Sequence, residues 1–387
     1  TVEILRQEGF NISTRTLRRQ RKELGLLKRT PQADFEQSYQ RVGELLQQEL
    51  ANGNIEDYGK EQLYVYLRSK YNVIGRDRVY SNLRELNPAA VEARRKRTRV
   101  HRGAVITPGP NHAWSIDAYC KLERWGIQMY AAIDVFSRYV LWTFVGISGR
   151  SQTSVFAQYC EAVRAHGVIP KLLRADRGAE TVMAADAHAQ LSREVRQGGD
   201  GEPLEFEDCF RYGTSKQNQR IEAWWAQQSR SQTARWRDYF AELSHTGRYS
   251  PASLADRIAF AMIYIPIIRM ELEEYVRVWN NHHIRNQPER PYLKTGKPYT
   301  LYHWPTVRQQ GVQSGFGVPP ELLDQLEQYA GDFDPNEILP PETFAWCGDQ
   351  LRQLGFPGDI NGRVCTETED RVHCQAYVQL RDAARHH

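Results

Sequence analysis

Residues 112–147, HAWSIDAYCKLERWGIQMYAAIDVFSRYVLWTFVGI, decide the fold class of the central part of the chain. Three segments within this stretch, 112–122, 126–137 and 138–147, are rich in β-branched and aromatic residues, which favour extended structure. The gaps between the segments are very short. Because antiparallel strands can be joined by tight connections, the pattern predicts three consecutive antiparallel strands.

The segments that follow alternate between helical and extended patterns. A helix is predicted where apolar residues recur at helical spacing, and a strand where a short apolar run is bounded by turn residues. In chain order we expect a helix at 151–167, a strand at 171–176, a helix at 182–196, a strand at 204–210 and a long helix at 215–243. The resulting order, βββαβαβα, is typical of an α/β domain.

The first 90 residues predict two helix-turn-helix units, at 1–30 and 31–90. In the first unit, Ser13 is positioned to cap the second helix. The same outline recurs after a shift of 62 residues, with helices predicted at 60–70 and 76–86. A repeat of matched spacing is stronger than a single copy, because the pattern has to fit twice.

The second helix of each unit carries basic side chains. Residues three and four apart share one side of a helix, so such side chains can reach phosphates and base edges together. The candidate DNA-binding residues are Arg15, Arg18, Arg19, Arg21 and Lys22 in the first unit and Arg76 and Arg78 in the second. The alternative interpretation is a pair of Arg-rich surface helices in an ordinary helical domain.

A basic run follows the second unit. Residues 91–110 are interpreted as a flexible linker that can follow and contact a phosphate backbone. The same residues could equally serve as a nuclear-import signal. The candidate DNA-binding residues of this run are Arg94, Arg95, Lys96 and Arg97.

Charge is unevenly placed along the 387 residues, although the net charge is only +4. Residues 1–102 contain 21 Lys and Arg against 13 Asp and Glu, whereas no Lys or Arg lies between Arg308 and Arg352. A basic N-terminal part and an acidic C-terminal part suggest that a polyanionic partner binds at one end of the chain. The acidic region, 301–387, is expected to form short helices that suit contact with a protein.

Composition excludes several protein classes. The longest apolar run, 258–268, has 11 residues and contains Pro266, whereas a membrane span needs about 20. The six Cys residues form no CxxC pair, so neither a zinc ribbon nor a disulfide framework is indicated. The chain starts at Thr1 inside a predicted helix without a signal peptide, which favours a fragment of a longer intracellular protein.

Four short motifs stand in order on the predicted elements: WSID at 114–117, IDVFSR at 133–138, RADRGAE at 174–180 and SKQNQRIE at 215–222. With them, residues 110–300 resemble the integrase core of retroviral integrases and DDE transposases. The IEAWW segment and the later WNNHHIR are similar to those of transposon-derived integrase-core proteins of fungi and animals.

This resemblance implies an α/β, ribonuclease-H-like core at 111–300, in which helices flank a mixed five-stranded sheet. An all-α helix-turn-helix region precedes the core and a small, mostly helical tail follows it. Asp117, Asp176 and Glu222 would be the catalytic acids and the ligands of two Mg²⁺ or Mn²⁺ ions, with no organic cofactor. Converging carboxylates repel each other unless cations neutralise them.

The match has departures. Arg177 stands where the family pattern has Asn, and 46 residues separate Asp176 from Glu222, more than retroviral integrases have. Near Glu222, three polar residues are candidates for contact with a nucleic-acid backbone: Lys216, Asn218 and Arg220.

Other residues of this region favour structural roles. We expect Asp134 to be structural, and Trp224 and Trp225 to lie in the core. Further acids, among them Glu180 and Asp186, are interpreted as solvated surface charges.

The resemblance implies a DNA integrase or transposase that cleaves phosphodiester bonds and transfers strands. Its partners would be double-stranded DNA, both element ends and target, and further copies of itself. It would act in the nucleus, or inside the cell if the source is a prokaryote. Two alternatives stay open: a catalytically silent, domesticated DNA-binding regulator, and a ribonuclease-H-like nuclease that cuts hybrids or junctions.

Overall fold

A computed structural model of the chain describes eleven ranges of residues. These are 2–26, 34–51, 55, 58–72, 75–88, 107–196, 204–213, 218–287, 293–307, 311–356 and 372–386. Of the predicted linker at 91–110, residues 91–106 lie outside these ranges, as does Lys216.

The first part of the chain is helical, as predicted. Its helices are α1 (Val2–Gln7), α2 (Thr14–Glu23), α3 (Phe35–Ala51), α4 (Lys60–Tyr71) and α5 (Arg76–Leu86). The expected cap of α2 is confirmed, because the Ser13 side chain accepts a hydrogen bond from the Thr16 backbone N–H at 3.1 Å. Helices α4 and α5 begin where the repeat predicts them.

The two repeated units differ in packing. Helices α1 and α2 contain no fully buried residue. By contrast, α4 and α5 bury apolar side chains such as Leu67 and Val79 in the largest apolar core of the described chain. Helix α3, which the sequence did not predict, packs against α5. The sequence repeat therefore predicts the helices of each unit, but the two units pack differently against the rest of the protein.

The core of the fold is a mixed five-stranded sheet. Its strands are β1 (Ala113–Tyr119), β2 (Gln128–Asp134), β3 (Val140–Gly146), β5 (Leu172–Asp176) and β6 (Phe210–Gly213), in the order β3-β2-β1-β5-β6. Strands β1, β2 and β3 pair antiparallel, as predicted, whereas β5 lies parallel to both β1 and β6. Two short strands, β4 (Val168–Ile169) and β7 (Phe316–Gly317), form a separate antiparallel pair.

Helices cover both faces of this sheet and form the tail. They are α6 (Gln152–His166), α7 (Val182–Val195), α8 (Phe206–Cys209), α9 (Gln219–Gln228), α10 (Ala234–His245), α11 (Leu254–Asn281), α12 (Pro298–His303), α13 (Pro320–Glu327), α14 (Pro341–Gln353) and α15 (Val372–Arg385). In the described ranges, no helix is both long enough and apolar enough to cross a bilayer.

The predicted strand at 204–210 is wrong. This segment contains the one-turn helix α8, and the edge strand β6 begins only at Phe210. Phe206, Cys209 and Phe210 stand at i, i+3 and i+4, which places them on one side of a helical turn. Cys209 is buried and the rings of Phe206 and Phe210 lie 5.6 Å apart, so burial overrides the alternating pattern.

The predicted long helix at 215–243 is observed from Gln219 onward as one continuous helical run. Within it, a π-helical segment, Ser229–Thr233, joins α9 to α10. Single π turns within α-helices are frequently found at functional sites. Here the turn lies against β1, because the Tyr119 hydroxyl donates to the Ser229 hydroxyl at 2.6 Å.

Alternate residues of β1 point to opposite faces of the sheet. Trp114 and Ile116 pack into the apolar cluster formed with α6 and α7. Tyr119 instead packs into the cluster formed with α9, α10 and α11, and its ring stacks on Trp225 at 5.0 Å. Asp117 shares a face with Tyr119 and so lies on the side of α9.

The acidic tail packs on the core through ion pairs. Arg164 of α6 binds Asp324 and Glu327 of α13, each at 2.7 Å. Helix α15 lies along α11, where the buried Asp256 accepts hydrogen bonds from Tyr377 and Arg385, both at 2.9 Å. Part of the acidity therefore pairs with the chain's own arginines.

Candidate active site

The pairing of β1 with β5 brings two acids level with each other. Ser115 pairs with Arg174 in the parallel register. Two residues further along the same two strands are Asp117 and Asp176, so both carboxylates point to the α9 face of the sheet. Neighbouring strands lie about 4.8 Å apart, which keeps the two aspartates close.

Helix α9 brings the third acid to this place. The Asn218 side chain, at the start of the helix, donates a hydrogen bond to the backbone oxygen of Ile116 at 3.1 Å. One turn later, the Glu222 N–H donates to the Asn218 backbone oxygen at 3.3 Å. The helix therefore starts beside the residue that precedes Asp117, and Glu222 follows on its first turn. Asp117, Asp176 and Glu222 are called the acid cluster below.

Two acids of this cluster act electrostatically on the third. Burial raises the pKa of Asp117 to about 7, and the negative charges of Asp176 and Glu222 add to the increase. Burial and the charge of Glu180 also raise the pKa of Asp176. Each acid is half-buried, so water screens the repulsion only in part.

The acid cluster fits a divalent cation by its chemistry. Carboxylate oxygens are the ligands that Mg²⁺ and Mn²⁺ prefer. The Oδ1 atom of Asp176 is buried and has no hydrogen-bond partner among the described residues, which leaves an acceptor without a donor. A cation would satisfy this atom and relieve the repulsion. In the described ranges, however, no three His, Cys, Asp or Glu side chains already form a set of metal ligands.

A fourth carboxylate lies at the edge of the cluster. The chain turns sharply after Asp176, and Glu180 lies in a 3₁₀ turn, Ala179–Thr181. Its carboxylate folds back over Gly178, where an added Cβ would come within 2.3 Å of an oxygen. Sequence reasoning treated Glu180 as a surface charge. The useful signal was the glycine next to Asp176, which marks the turn that returns Glu180 to the site.

Asp134 has a structural role, as expected. It is fully buried, and burial raises its pKa to about 6 despite hydrogen bonds that lower it. Its oxygens accept from the Asn111 N–H at 2.8 Å and from the N–H and hydroxyl of Ser137 at 2.7 and 2.6 Å. Asp134 thus fixes the turn between β2 and β3 to the segment that leads into β1.

The candidate DNA-binding residues of α2 form an accessible basic surface. Arg15, Arg18 and Lys22 are exposed. Arg19 is also exposed and approaches Glu23 at 3.8 Å. Arg21 is half-buried and donates to the Leu26 backbone oxygen at 3.3 Å. Four of the five side chains are therefore free of the core and open to solvent.

The two candidates of α5 are placed differently. Arg76 is exposed and lies 3.9 Å from Glu61. Arg78 is only 7% exposed, donates to the Ser38 hydroxyl at 3.1 Å and lies over the Phe35 ring. The burial of Arg78 comes from α3, which was not foreseen. Its role in the described structure is to hold α5 on α3.

The candidates around Glu222 are only partly described. Asn218 is buried and anchors α9 to β1, so it positions Glu222 and does not offer its side chain to solvent. Arg220 is half-buried, and its charge adds to the burial that lowers the pKa of Arg138 to about 9. Trp224 and Trp225 are buried, as expected. Lys216, Arg94, Arg95, Lys96 and Arg97 lie outside the described residues.

Comparisons with known proteins bear on the whole core. Among solved structures, the chain is similar to a simian T-cell lymphotropic virus intasome in complex with PP2A regulatory subunit B56 gamma. The identity is 13% and the TM-score 0.30, over 62% of this chain and 67% of that chain. No curated protein matches. The model of the family described as "Integrase core domain" matches residues 105–314, more than half of the chain. The protein therefore belongs to the integrase core domain family.

Proposed function

We propose that this protein is a metal-dependent polynucleotidyl transferase that cleaves DNA and joins strands. The observation that carries the proposal is the acid cluster, in which β1, β5 and α9 bring Asp176 and Glu222 close enough for their charges to act on Asp117. Family membership supports the same reaction class.

In this proposal, Asp117, Asp176 and Glu222 would hold two divalent cations. When bound, the cations would supply neutralisation of the developing charge on the phosphoryl group and a lowered pKa of an attacking water or 3′-hydroxyl. The sheet keeps Asp117 and Asp176 at fixed separation. The hydrogen bond from the Asn218 side chain to the Ile116 backbone oxygen fixes the start of α9, and therefore the direction in which the Glu222 side chain points. The chain's contribution is thus a set of ligands placed before the substrate arrives.

DNA binding by α2 is a further part of the proposal. The exposed arginines of α2 can neutralise phosphates. The preceding helix, α1, connects this unit to the residues after α12 through side-chain hydrogen bonds. Gln7 donates to Thr306 at 3.3 Å, and Trp304 donates to Glu8 at 2.9 Å. We also propose that the enzyme acts as a homo-oligomer in the nucleus, or inside a prokaryotic cell, because joining two element ends requires two sites.

The test is a cleavage and joining assay on a labelled DNA duplex in Mg²⁺ or Mn²⁺. Asp117→Asn, Asp176→Asn and Glu222→Gln should each reduce product at least about 100-fold, since each removes an ionic ligand. Glu194→Gln, an exposed acid on α7, is the matched control and should retain activity. Full activity in all three cluster variants would defeat the assignment.

The same assay separates the alternatives. An RNA–DNA hybrid that is cut while duplex DNA is left intact would favour a ribonuclease-H-like nuclease. DNA binding without cleavage of either substrate, and without any effect of metal, would favour a silent regulator.

A further inference from the structure

A second charged row lies beside the acid cluster on the same face of the sheet. Strand β6 pairs in parallel with β5, so that Arg211 lies opposite Arg174. Leu173 and Phe210, their partners one residue earlier, point into the core under α6 and α7. Because side chains alternate along a strand, Arg174 and Arg211 point the other way, to the face that carries Asp176. Arg174 and Arg211 are called the arginine row.

The two arginines repel each other. Like charges directly opposite on neighbouring strands are destabilising. Burial lowers the pKa of Arg174, and the charge of Arg211 lowers it further. Among the described residues, no acid forms an ion pair with either side chain. Arg211 donates its Nε–H to the backbone oxygen of Glu207 at 3.4 Å, which orients the guanidinium without neutralising it.

The arginine row and the acid cluster do not neutralise each other. Among the described residues, neither arginine forms an ion pair with Asp117 or Asp176, although Arg174 and Asp176 share one face of β5. The two rows are one pleat repeat apart, about 6.6 Å along the strands. The repulsion between Arg174 and Arg211 is therefore not relieved by an ion pair among the described residues, and a bound anion would relieve it.

Access to the arginine row is open from the edge of the sheet. Strand β6 is the outer strand, so no further strand covers this side in the described fold. Arg211 is exposed. Opposite Asp176 stands Gly213, which has no side chain to separate the arginines from the acids. A chain of phosphates can thus lie across both rows.

We propose that the in-register pair Arg174 and Arg211 binds a backbone phosphate of the DNA strand whose reacting phosphodiester lies at Asp117 and Asp176. The inference rests on the proposed function and adds a phosphate site to it. Guanidinium groups match phosphate oxygens in paired hydrogen bonds. A DNA strand advances about 3.4 Å along the axis per nucleotide, so a row about 6.6 Å away holds a phosphate within about two nucleotides of the reacting one.

Binding a phosphate at this row would also position the substrate. One anchored phosphate beside the acids restricts how far the strand can slide along the sheet. The reacting phosphodiester is then held at the cations without a base-specific contact, as expected for a backbone contact that sets register.

The test is equilibrium binding of a fluorescent DNA duplex in EDTA, measured by anisotropy over a range of salt concentrations. Arg174→Gln and Arg211→Gln should each weaken binding, and the double variant should reduce the slope of log affinity against log salt by about 1, the loss of one phosphate contact. Arg193→Gln, an exposed arginine on α7 beneath the opposite face, is the matched control and should bind as the wild type does.

Folding is checked separately by thermal unfolding. Arg211→Gln removes a repulsion, so its unfolding temperature should equal or exceed that of the wild type. Arg174→Lys keeps the charge but loses the paired hydrogen bonds, and should bind between wild type and Arg174→Gln.

An unchanged affinity and slope in the folded double variant would overturn the inference. Because EDTA removes the metal, this result does not depend on catalysis. If the cluster variants lose cleavage while the double arginine variant binds normally, only the phosphate site fails. If the arginine variants lose DNA binding but none of the acid-cluster variants affects cleavage, the proposed catalytic role fails and the phosphate site stands.

Discussion

Asp117 carries an electrostatic penalty in the candidate site. It is half-buried on β1 near two other carboxylates, and burial together with their charges raises its pKa to about 7. An acid whose pKa is raised by folding is penalised once it ionises. The penalty is absent below the unfolded pKa of about 3.9, grows up to the folded value and is complete above it.

Asp117→Asn should therefore stabilise the metal-free protein. At pH 8 in EDTA, we expect its free energy of unfolding to rise by the order of 1–4 kcal/mol, because a neutral amide avoids the repulsion. The gain should disappear near pH 4, where Asp117 is protonated in the folded protein. Urea unfolding at the two pH values measures it.

Asp186→Asn is the control for this substitution, since Asp186 is exposed on α7 and hydrogen-bonded to Gln190. It should change stability little at either pH. A loss of stability in Asp117→Asn at pH 8 would mean that Asp117 makes favourable contacts which outweigh the repulsion.

Short motifs in the sequence single out three acids that the structure brings to one place, Asp117 on β1, Asp176 on β5 and Glu222 on α9, and their catalytic role stays a prediction. The neighbours of these acids were not predicted. The position of Glu180 could not be predicted from the sequence, since only the turn at Gly178 returns its carboxylate to the site. The arginine row could not be predicted either. A strand at 204–210 would have placed other residues, and not Arg211, opposite Arg174.

At the scale of elements, α11 closes one edge of the sheet. The Asn280 side chain accepts from the Val140 N–H at 2.9 Å and donates to the Val140 backbone oxygen at 3.1 Å. Further along, Arg269 donates to the Val145 oxygen at 2.6 Å. A helix therefore supplies hydrogen bonds that a sixth strand would otherwise make. An open edge would invite pairing with another chain.

Asn280→Ala should destabilise the fold by about 2–4 kcal/mol, because it leaves two buried backbone groups of β3 without partners. Denaturant unfolding measures the loss. Asn281→Ala is the matched control, since the Asn281 side chain bonds only within its own helix, to the Arg277 oxygen. Equal stability of the two variants would show that the edge contact contributes nothing.

Predictions of elements succeeded where the apolar period was long and failed where it was short. Helices α4 and α5 begin where expected, because each contains more than ten residues in which apolar positions recur at helical spacing. The segment at 204–210 is too short for periodicity to separate a strand from one helical turn, and the burial of Cys209 decides it. Helix α3 was missed, and with it the burial of Arg78.

At the scale of the whole molecule, one buried acid helps to fasten the last helix, α15, to α11. Asp256 is fully buried at the start of α11 and binds Tyr377 and Arg385 of α15. Burial alone would raise its pKa, but hydrogen bonds from Ser253, Arg385 and Tyr377 outweigh it and the pKa is lowered. Such a group stabilises the fold above the unfolded pKa of about 3.9, and the contribution is lost as pH falls through the lower folded value.

Asp256→Asn should loosen α15 while the sheet stays folded. We expect amide hydrogen exchange in Val372–Arg385 to accelerate about ten-fold or more at pH 7, which corresponds to a loss of about 1.4 kcal/mol. The difference in unfolding free energy between wild type and variant should shrink below about pH 3.9.

Asp382→Asn, on the same helix but half-exposed and paired with Arg381, serves as the comparison and should leave exchange unchanged. Unaltered exchange in Asp256→Asn would mean that contacts other than those of Asp256, such as apolar packing and the hydrogen bonds of Tyr377 and Arg381 to the Arg248 oxygen, hold the tail.

The most direct test of the central claim is Mn²⁺ binding to the whole protein, followed by electron paramagnetic resonance. Folding should gather Asp117, Asp176 and Glu222 into a cation site. Wild type and Asp186→Asn should therefore bind Mn²⁺ saturably, and Asp117→Asn, Asp176→Asn and Glu222→Gln should each weaken binding at least about ten-fold. Mn²⁺ affinity that is the same in all five proteins would contradict the account.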